Sequence, residues 1–362
     1  MDFDLSDDQE ALRSGARELL DGLAPISGVR AVVEAGGGLD RDLWAGMVEQ
    51  GWLGVALAEA AGGLGLGWVE LAVLLEAIGR HAAPAPFLGQ VLAIDALGRA
   101  GRSDSVASLL AGERLACVAW SKASSAVTAT AADAGWQLHG RSDPTPFAPS
   151  ADLAIVVAES PDGPALFAVE LDDATRPGAE PAMDRTRELG WLRFDALPAE
   201  RLGGRDAVDA LLDRGATGVA AEMLGGADRV LELSVEYAKD RVQFGKPIGS
   251  FQAVKHRCAD MLVDVEGMRS SVYWAAWCLA ADDRDASVAA STAKIWGSDA
   301  SRRVMASGLQ VHGGIGFTWE HDLHLFLKRA QLDQLTFGDA GYHRERLAAL
   351  LRPRVEAAES II

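Results

Sequence analysis

Apolar residues near the start of the chain recur at helical spacing. Leu12, Ala16, Leu19 and Leu20 share one face, behind a Ser6 and Gln9 pair that reads as an N-terminal capping box. Leu43, Met47 and Val48 predict a second helix before Gly51-Trp52-Leu53-Gly54. Gly62-Gly63-Leu64-Gly65-Leu66-Gly67 interrupts the pattern, and residues 69–80 resume it. That glycine run follows no buried strand and leads into no Lys-Ser/Thr, so it reads as a loop before a helix and not as a phosphate cradle.

The period changes near residue 115. Short β-type runs follow at Ala116-Cys117-Val118-Ala119-Trp120, at 127–130, 136–139, 153–158 and 165–169, separated by Asp, Gly and Pro. Trp191-Leu192-Arg193-Phe194 and a turn at Gly203 and Gly204 close this all-β section. Helical patterns return from Leu211, over 215–241, 250–280, 286–311 and from about 320 onward. The pattern predicts an α+β chain with a helical domain at 1–114, a β domain at 115–212 and a helical bundle at 213–362.

Composition narrows the function classes. The 362 residues, 49% of them hydrophobic, are ample to bury a core. A formal net charge of −18 argues against a nucleic-acid surface and leaves room for a small anion in a local pocket. Cys117, Cys258 and Cys278 are odd in number and widely spaced, which indicates reduced thiols and neither a disulfide framework nor a zinc site. The opening Met1-Asp2-Phe3-Asp4 has no basic region followed by an apolar one, and no apolar run reaches the ~20 residues of a membrane helix. A cytoplasmic protein without membrane insertion is expected.

Two stretches carry the candidate chemistry. One is Arg241-Val242-Gln243-Phe244-Gly245-Lys246-Pro247-Ile248-Gly249-Ser250-Phe251-Gln252, and the other is Gln310-Val311-His312-Gly313-Gly314-Ile315-Gly316-Phe317. An always-charged Arg suits a diphosphate, glycines let backbone N–H groups approach phosphate or ribose, and amide side chains read polar edges. Each residue also has a plain reading: Arg241 as a cation at a helix C-terminus, Phe244 as core, Gly313 and Gly314 as a turn. At this spacing the two stretches resemble the flavin-embracing motifs of the acyl-CoA dehydrogenases. The resemblance covers essentially the whole chain and is strongest from 215 to 350. It implies an N-terminal helical domain, a middle β-barrel or sandwich and a C-terminal four-helix bundle. It also implies FAD shared across a subunit interface, with Arg241 on the diphosphate, Phe244 packed on the cofactor, polar contacts from Gln252 and Gln310, and backbone approach at Gly313 and Gly314.

The chain departs from that family where a subunit holds its own flavin and its base. Trp120-Ser121-Lys122-Ala123-Ser124-Ser125 replaces a glycine-rich strand end, and Asp143-Pro144-Thr145-Pro146-Phe147 replaces a Trp-x-Thr/Ser; the two prolines have no N–H to donate. The catalytic carboxylate's position is Phe337, followed by Gly338-Asp339-Ala340-Gly341 in place of Gly-Thr-x-Gln. The alternative base position of some relatives falls on Gly215, with Ala216 next. Asp339 is a substitute displaced by two residues, onto another face if the segment is helical, and Glu222 lies seven residues from Gly215. His312, His321 and His324 invite an acid/base or metal reading, but Glu320-His321-Asp322-x-His324 matches no ligand spacing, and a polar helix turn facing solvent or a subunit boundary is expected.

No catalytic residue is therefore assigned. The resemblance points to the small subunit of an α2β2 acyl-CoA dehydrogenase of bacterial steroid side-chain degradation, completing FAD beside a larger catalytic subunit and passing electrons to an acceptor flavoprotein. A self-contained homo-oligomeric dehydrogenase with a displaced carboxylate, and a non-enzymatic scaffold binding FAD or acyl-CoA, remain as alternatives.

Overall fold

A computed structural model describes residues 4–122, 126–133 and 135–360. The backbone gathers into two compact units, one of Met1–Arg30, Ala72–Ala83 and Ala216–Ile362, the other of Ala31–Leu71 and Pro84–Gly215. The first helix, α1 (Asp7–Leu23), begins at the predicted capping box: Ser6 Oγ accepts from Gln9 N, and Ser6 N donates to Gln9 Oε1 at 3.0 Å. Ala16 and Leu20 are its buried residues, as the periodicity requires. It is followed by α2 (Ile26–Glu34), α3 (Arg41–Glu49), α4 (Trp68–Arg80), α5 (Phe87–Arg99) and α6 (Ser103–Leu110).

Six strands follow: β1 (Ala116–Ala119), β2 (Val127–Ala132), β3 (Gly135–Pro146), β4 (Leu153–Ser160), β5 (Gly163–Glu170) and β6 (Leu189–Gly203). Their order is β1-β4-β2-β3-β6-β5, and β4 also pairs with β5, so the sheet closes on itself as a barrel with β1 added in parallel to β4. Leu138, Val156, Phe167, Val169, Leu192 and Phe194 fill its core. Buried Gln90 of α5 ties this unit together. Its Nε2 donates to Leu109 O and Arg114 O at 2.9 and 3.0 Å, and its Oε1 accepts from Ala116 N at 2.7 Å.

The remaining elements are α7 (Arg205–Asp240), a short hairpin of β7 (Val242–Gln243) and β8 (Lys246–Pro247), α8 (Gln252–Ala280), α9 (Ala286–His312), α10 (Leu323–Leu335) and α11 (Ala340–Glu356). Two differences from the sequence pattern have local causes. The first long helix starts ten residues before 215, directly after the Gly203 and Gly204 turn. The pattern from 320 is two helices, because Phe337 and Gly338 take positive φ (54° and 92°), which no α-helix accommodates. Among the described residues no helix is long and apolar enough to cross a membrane.

Within the first unit α4 and α7 cross with backbones almost touching. A Cβ on Gly225 would lie 1.8 Å from Glu76 O, and one on Gly79 would lie 2.0 Å from Glu222 O. Backbone cannot yield as a flexible side chain does. Gly225→Ala is therefore expected to destabilise the chain by at least about 1–3 kcal/mol, measured by urea unfolding; a midpoint equal to the wild type would show that the crossing is loose.

Candidate cofactor site

Arg241 follows the last residue of α7. Its N–H donates to Tyr237 O at 2.9 Å and its carbonyl accepts from Ile248 N at 2.8 Å, which folds the motif back on itself as the β7–β8 hairpin. Phe244 and Gly245 form the tip with φ of 53° and 77°, the left-handed pair that a tight two-residue hairpin needs. The Phe244 ring is 91% exposed, so it is not core. It meets only the edge of Phe251 at 6.0 Å, while the Lys246 ammonium lies 4.5 Å from the Phe251 ring centre. Gln252 opens α8 with its side chain exposed.

The second motif ends α9. Gln310 is exposed, and Gly313 takes φ 63° and ψ −141°, a conformation that only glycine holds without strain. A Cβ on Gly313 or Gly314 would meet no atom within 4 Å, so open space lies beside that backbone. Tyr237 stacks on His312 with centroids 4.6 Å apart, which draws the ends of α7 and α9 together and places both motifs at one end of the unit. His312 is buried, and burial pulls its imidazole below the ordinary value; its Nδ1–H donates to Gly308 O at 2.8 Å. Arg241 forms no ion pair among the described residues. This end thus offers an exposed guanidinium, an exposed aromatic ring, two free-standing amides and open glycine backbone. That set fits a flavin dinucleotide: Arg241 would hold the diphosphate, Phe244 a ring face, and Gln252 and Gln310 polar edges.

Phe337 lies elsewhere in the same unit, in the linker of residues 336–339 between α10 and α11. It is buried at 6% exposure. Asp339 is not on a helix with it, as the spacing argument assumed. Its backbone is extended and its carboxylate caps α11, with Oδ1 accepting from Tyr342 N at 2.7 Å. Glu222 faces Arg329 at 3.6 Å, the two being 3% and 5% exposed. Both carboxylates considered as displaced bases are thus engaged in holding the fold. Gly215 and Ala216 lie inside α7, where Ala216 is fully buried.

Residues 6–112 fit the profile of the acyl-CoA dehydrogenase N-terminal domain, and 203–351 that of the acyl-CoA dehydrogenase C-terminal domain. Acyl-CoA dehydrogenase IpdE2 of Mycolicibacterium smegmatis is 34% identical over 347 residues, covering 95% of this chain and 99% of its own. The chain belongs to the acyl-CoA dehydrogenase family. Among solved structures, the Tcur3481-Tcur3483 steroid ACAD variant superposes with a TM-score of 0.90 at 34% identity, over 97% of this chain and 99% of that one. The ChsE4-ChsE5 complex from Mycobacterium tuberculosis does so with 0.91 at 30% identity, over the full length of both. Acyl-CoA dehydrogenases use FAD, which is this chain's cofactor class.

The two prolines that stand where the resemblance expects flavin contacts lie within the barrel. Pro144 and Pro146 pair with Trp191 and Leu189 in the β3–β6 ladder. The one hydroxyl between them, on Thr145, is 3% exposed and donates inward to Asp143 O at 3.0 Å. The Arg141 guanidinium covers the Trp191 ring at 4.1 Å. Ala123, Ser124 and Ser125 of the other replaced stretch lie outside the described residues.

The histidines are held by ring contacts. His321 meets the edge of His312 at 4.7 Å, and its Nδ1 accepts from Leu323 N. His324 was expected on a polar, outward turn. It is instead 7% exposed and stacked under Trp319 at 4.4 Å, because Asp322 is drawn to Arg30 at 2.9 Å and α10 starts only at Leu323. Sequence reading missed Lys294 and His343, both fully buried around the linker. The available signal was the run of small residues around Lys294 on α9, Ala289, Ala290, Ala293, Gly297 and Ser298, all buried.

Proposed function

We propose that this chain is the non-catalytic subunit of a heteromeric acyl-CoA dehydrogenase, completing the FAD site of a larger, base-bearing partner. The observation that carries this reading is Phe337. A general base needs an accessible lone pair at that position, and a buried phenyl ring has none. The carboxylates weighed as displaced bases, Asp339 and Glu222, cap a helix and face Arg329 respectively. At the motif end the Arg241, Phe244, Gln252 and Gln310 side chains are exposed beside the Gly313 and Gly314 backbone, which supports a flavin contact there.

In this reading the partner supplies the carboxylate that removes the α-proton of the acyl-CoA thioester and the pocket for the isoalloxazine. This chain supplies the guanidinium and glycine backbone for the diphosphate and the aromatic cover. The bound FAD accepts the hydride and later yields electrons to an acceptor flavoprotein. Both solved relatives named above are complexes of two differently named chains, and one is described as a steroid enzyme. Carried to this chain, that supports an unlike partner and a bulky acyl-CoA such as a steroid acid thioester. Catalysis without the partner is not expected, and the pair is expected to work in the cytoplasm.

Flavin per chain tests this directly. The chain is expressed alone and then with a longer relative carrying the Glu, and bound flavin is measured by visible absorbance and denaturing release. No flavin alone and one per unlike pair is the expected result. One flavin per chain in a homomer that also turns over acyl-CoA would sink the proposal.

A further inference from the structure

Lys294 is fully buried in the middle of α9, and its side chain ends beneath the linker of residues 336–339. Its ammonium donates to Asp333 O and Gln334 O, each at 3.0 Å, and to Gly338 O at 2.7 Å. The first two carbonyls belong to the last turn of α10. The third lies one residue past Phe337. From the other side, His343 of α11, also fully buried, places Nε2 2.8 Å from Phe337 O.

Burial holds His343 neutral, its imidazole pushed down to about 4, with Lys294 and Arg346 adding to the effect. One proton assignment then satisfies every neighbour. Nε2–H donates to Phe337 O, Nδ1 accepts from the Ser291 hydroxyl at 3.3 Å, and the Ser291 oxygen accepts from Arg346 Nη1 at 3.1 Å. Both carbonyls of the Phe337-Gly338 turn are thus taken by buried donors from two different helices. The residue between those donors is a phenylalanine in the left-handed region, where a side chain persists only if its surroundings hold it.

A buried ammonium is an expensive way to hold a turn, since burial disfavours its charge. We infer that Lys294 and His343 are positioning residues that keep the Phe337 turn in a single conformation, so that the family's base position is presented as a fixed apolar wall. The inference rests on the reading that Phe337 stands at that position. The charged and titratable groups facing Lys294 are Asp333 from α10, Asp339 from the linker and His343 from α11, and Arg346 of α11 acts on His343 in turn. Burial outweighs the two carboxylates and pulls the ammonium down to about 7. The clamp therefore carries three donors below about pH 7 and loses one as the pH rises through it. The fold as a whole responds in the opposite sense. With the folded value below the unfolded 10.5, the unfolded chain binds more protons between about 7 and 10.5, so the contribution of Lys294 to stability improves across that window.

The test places 4-trifluoromethylphenylalanine at position 337 of the full chain and follows its ¹⁹F resonance from about pH 5.5 to about pH 8.5. The wild-type background is expected to show one resonance at the acid end, with a second, carrying roughly a tenth or more of the intensity, growing in as the pH passes about 7. Lys294→Met and His343→Leu are expected to show both resonances at every pH, while His343→Gln, which keeps an N–H for Phe337 O, behaves as the wild type. A pH-invariant wild-type spectrum, or a single resonance in both Lys294→Met and His343→Leu, overturns the inference; should a variant fail to fold, the wild-type titration decides. Flavin is measured on the same chains paired with the longer relative. A holding clamp in a pair without flavin would sink the helper reading and leave the clamp intact.

Discussion

Arg241→Ala is expected to strip flavin from the complex of this chain with the proposed partner while leaving the chain folded. The guanidinium is exposed, follows the end of α7 and forms no ion pair among the described residues, so little of the fold depends on it. A planar fork against a diphosphate makes two charge-assisted hydrogen bonds, and truncating one partner of such a pair costs about 2–5 kcal/mol. That corresponds to flavin bound roughly thirty- to several-thousand-fold more weakly, enough to lose it during purification. Arg241→Lys retains the charge without the fork and should fall between. The measurement is the ratio of flavin absorbance to protein in the purified pair, with thermal unfolding as the control. Unchanged flavin content in Arg241→Ala would remove Arg241 from the cofactor site.

The second large effect is expected at Glu222. Its carboxylate faces Arg329 at 3.6 Å with both side chains almost completely buried, and Arg329 Nη2 also donates to Ala82 O and Ala83 O at 3.2 and 3.0 Å. Glu222→Ala removes a buried carboxylate that faces the Arg329 guanidinium, and breaking a buried pair in this way costs about 3–5 kcal/mol. Urea unfolding should register this as a lower midpoint at unchanged slope. Removing both charges together, as in Glu222→Leu with Arg329→Met, should recover much of the loss, because the two members of this pair leave together. The same position tests the homomeric alternative. If Glu222→Gln abolished turnover by the chain alone while stability held, Glu222 would be a displaced base and the helper reading would fall.

Much of the architecture was legible because local patterns and tertiary demands agree. The Ser6 and Gln9 box, the short β-type runs set off by Asp, Gly and Pro and the long apolar periods of α7, α8 and α9 are each marked within a contiguous stretch, so a one-dimensional reading finds them. The candidate cofactor residues were legible for a related reason. A hairpin and a helix end are short, contiguous motifs, and their spacing survives in the sequence whatever surrounds them.

What the sequence by itself determined is the chemistry present: an Arg and a Phe on one hairpin, glycines at the end of α9, and a phenylalanine at the position to which the family resemblance assigns the base. What only the tertiary structure decided is how each of those groups is used. Exposure showed that Phe244 is not core, and the left-handed turn at Phe337 broke the expected last helix in two. Asp339 became a cap and Glu222 a buried ion partner. Lys294 lies 39 residues before one of its partners and 44 before another. The physical reason is common to all of these. Burial, pairing and backbone strain depend on groups brought together from distant parts of the chain, and they decide whether a given side chain is a reagent or part of the frame.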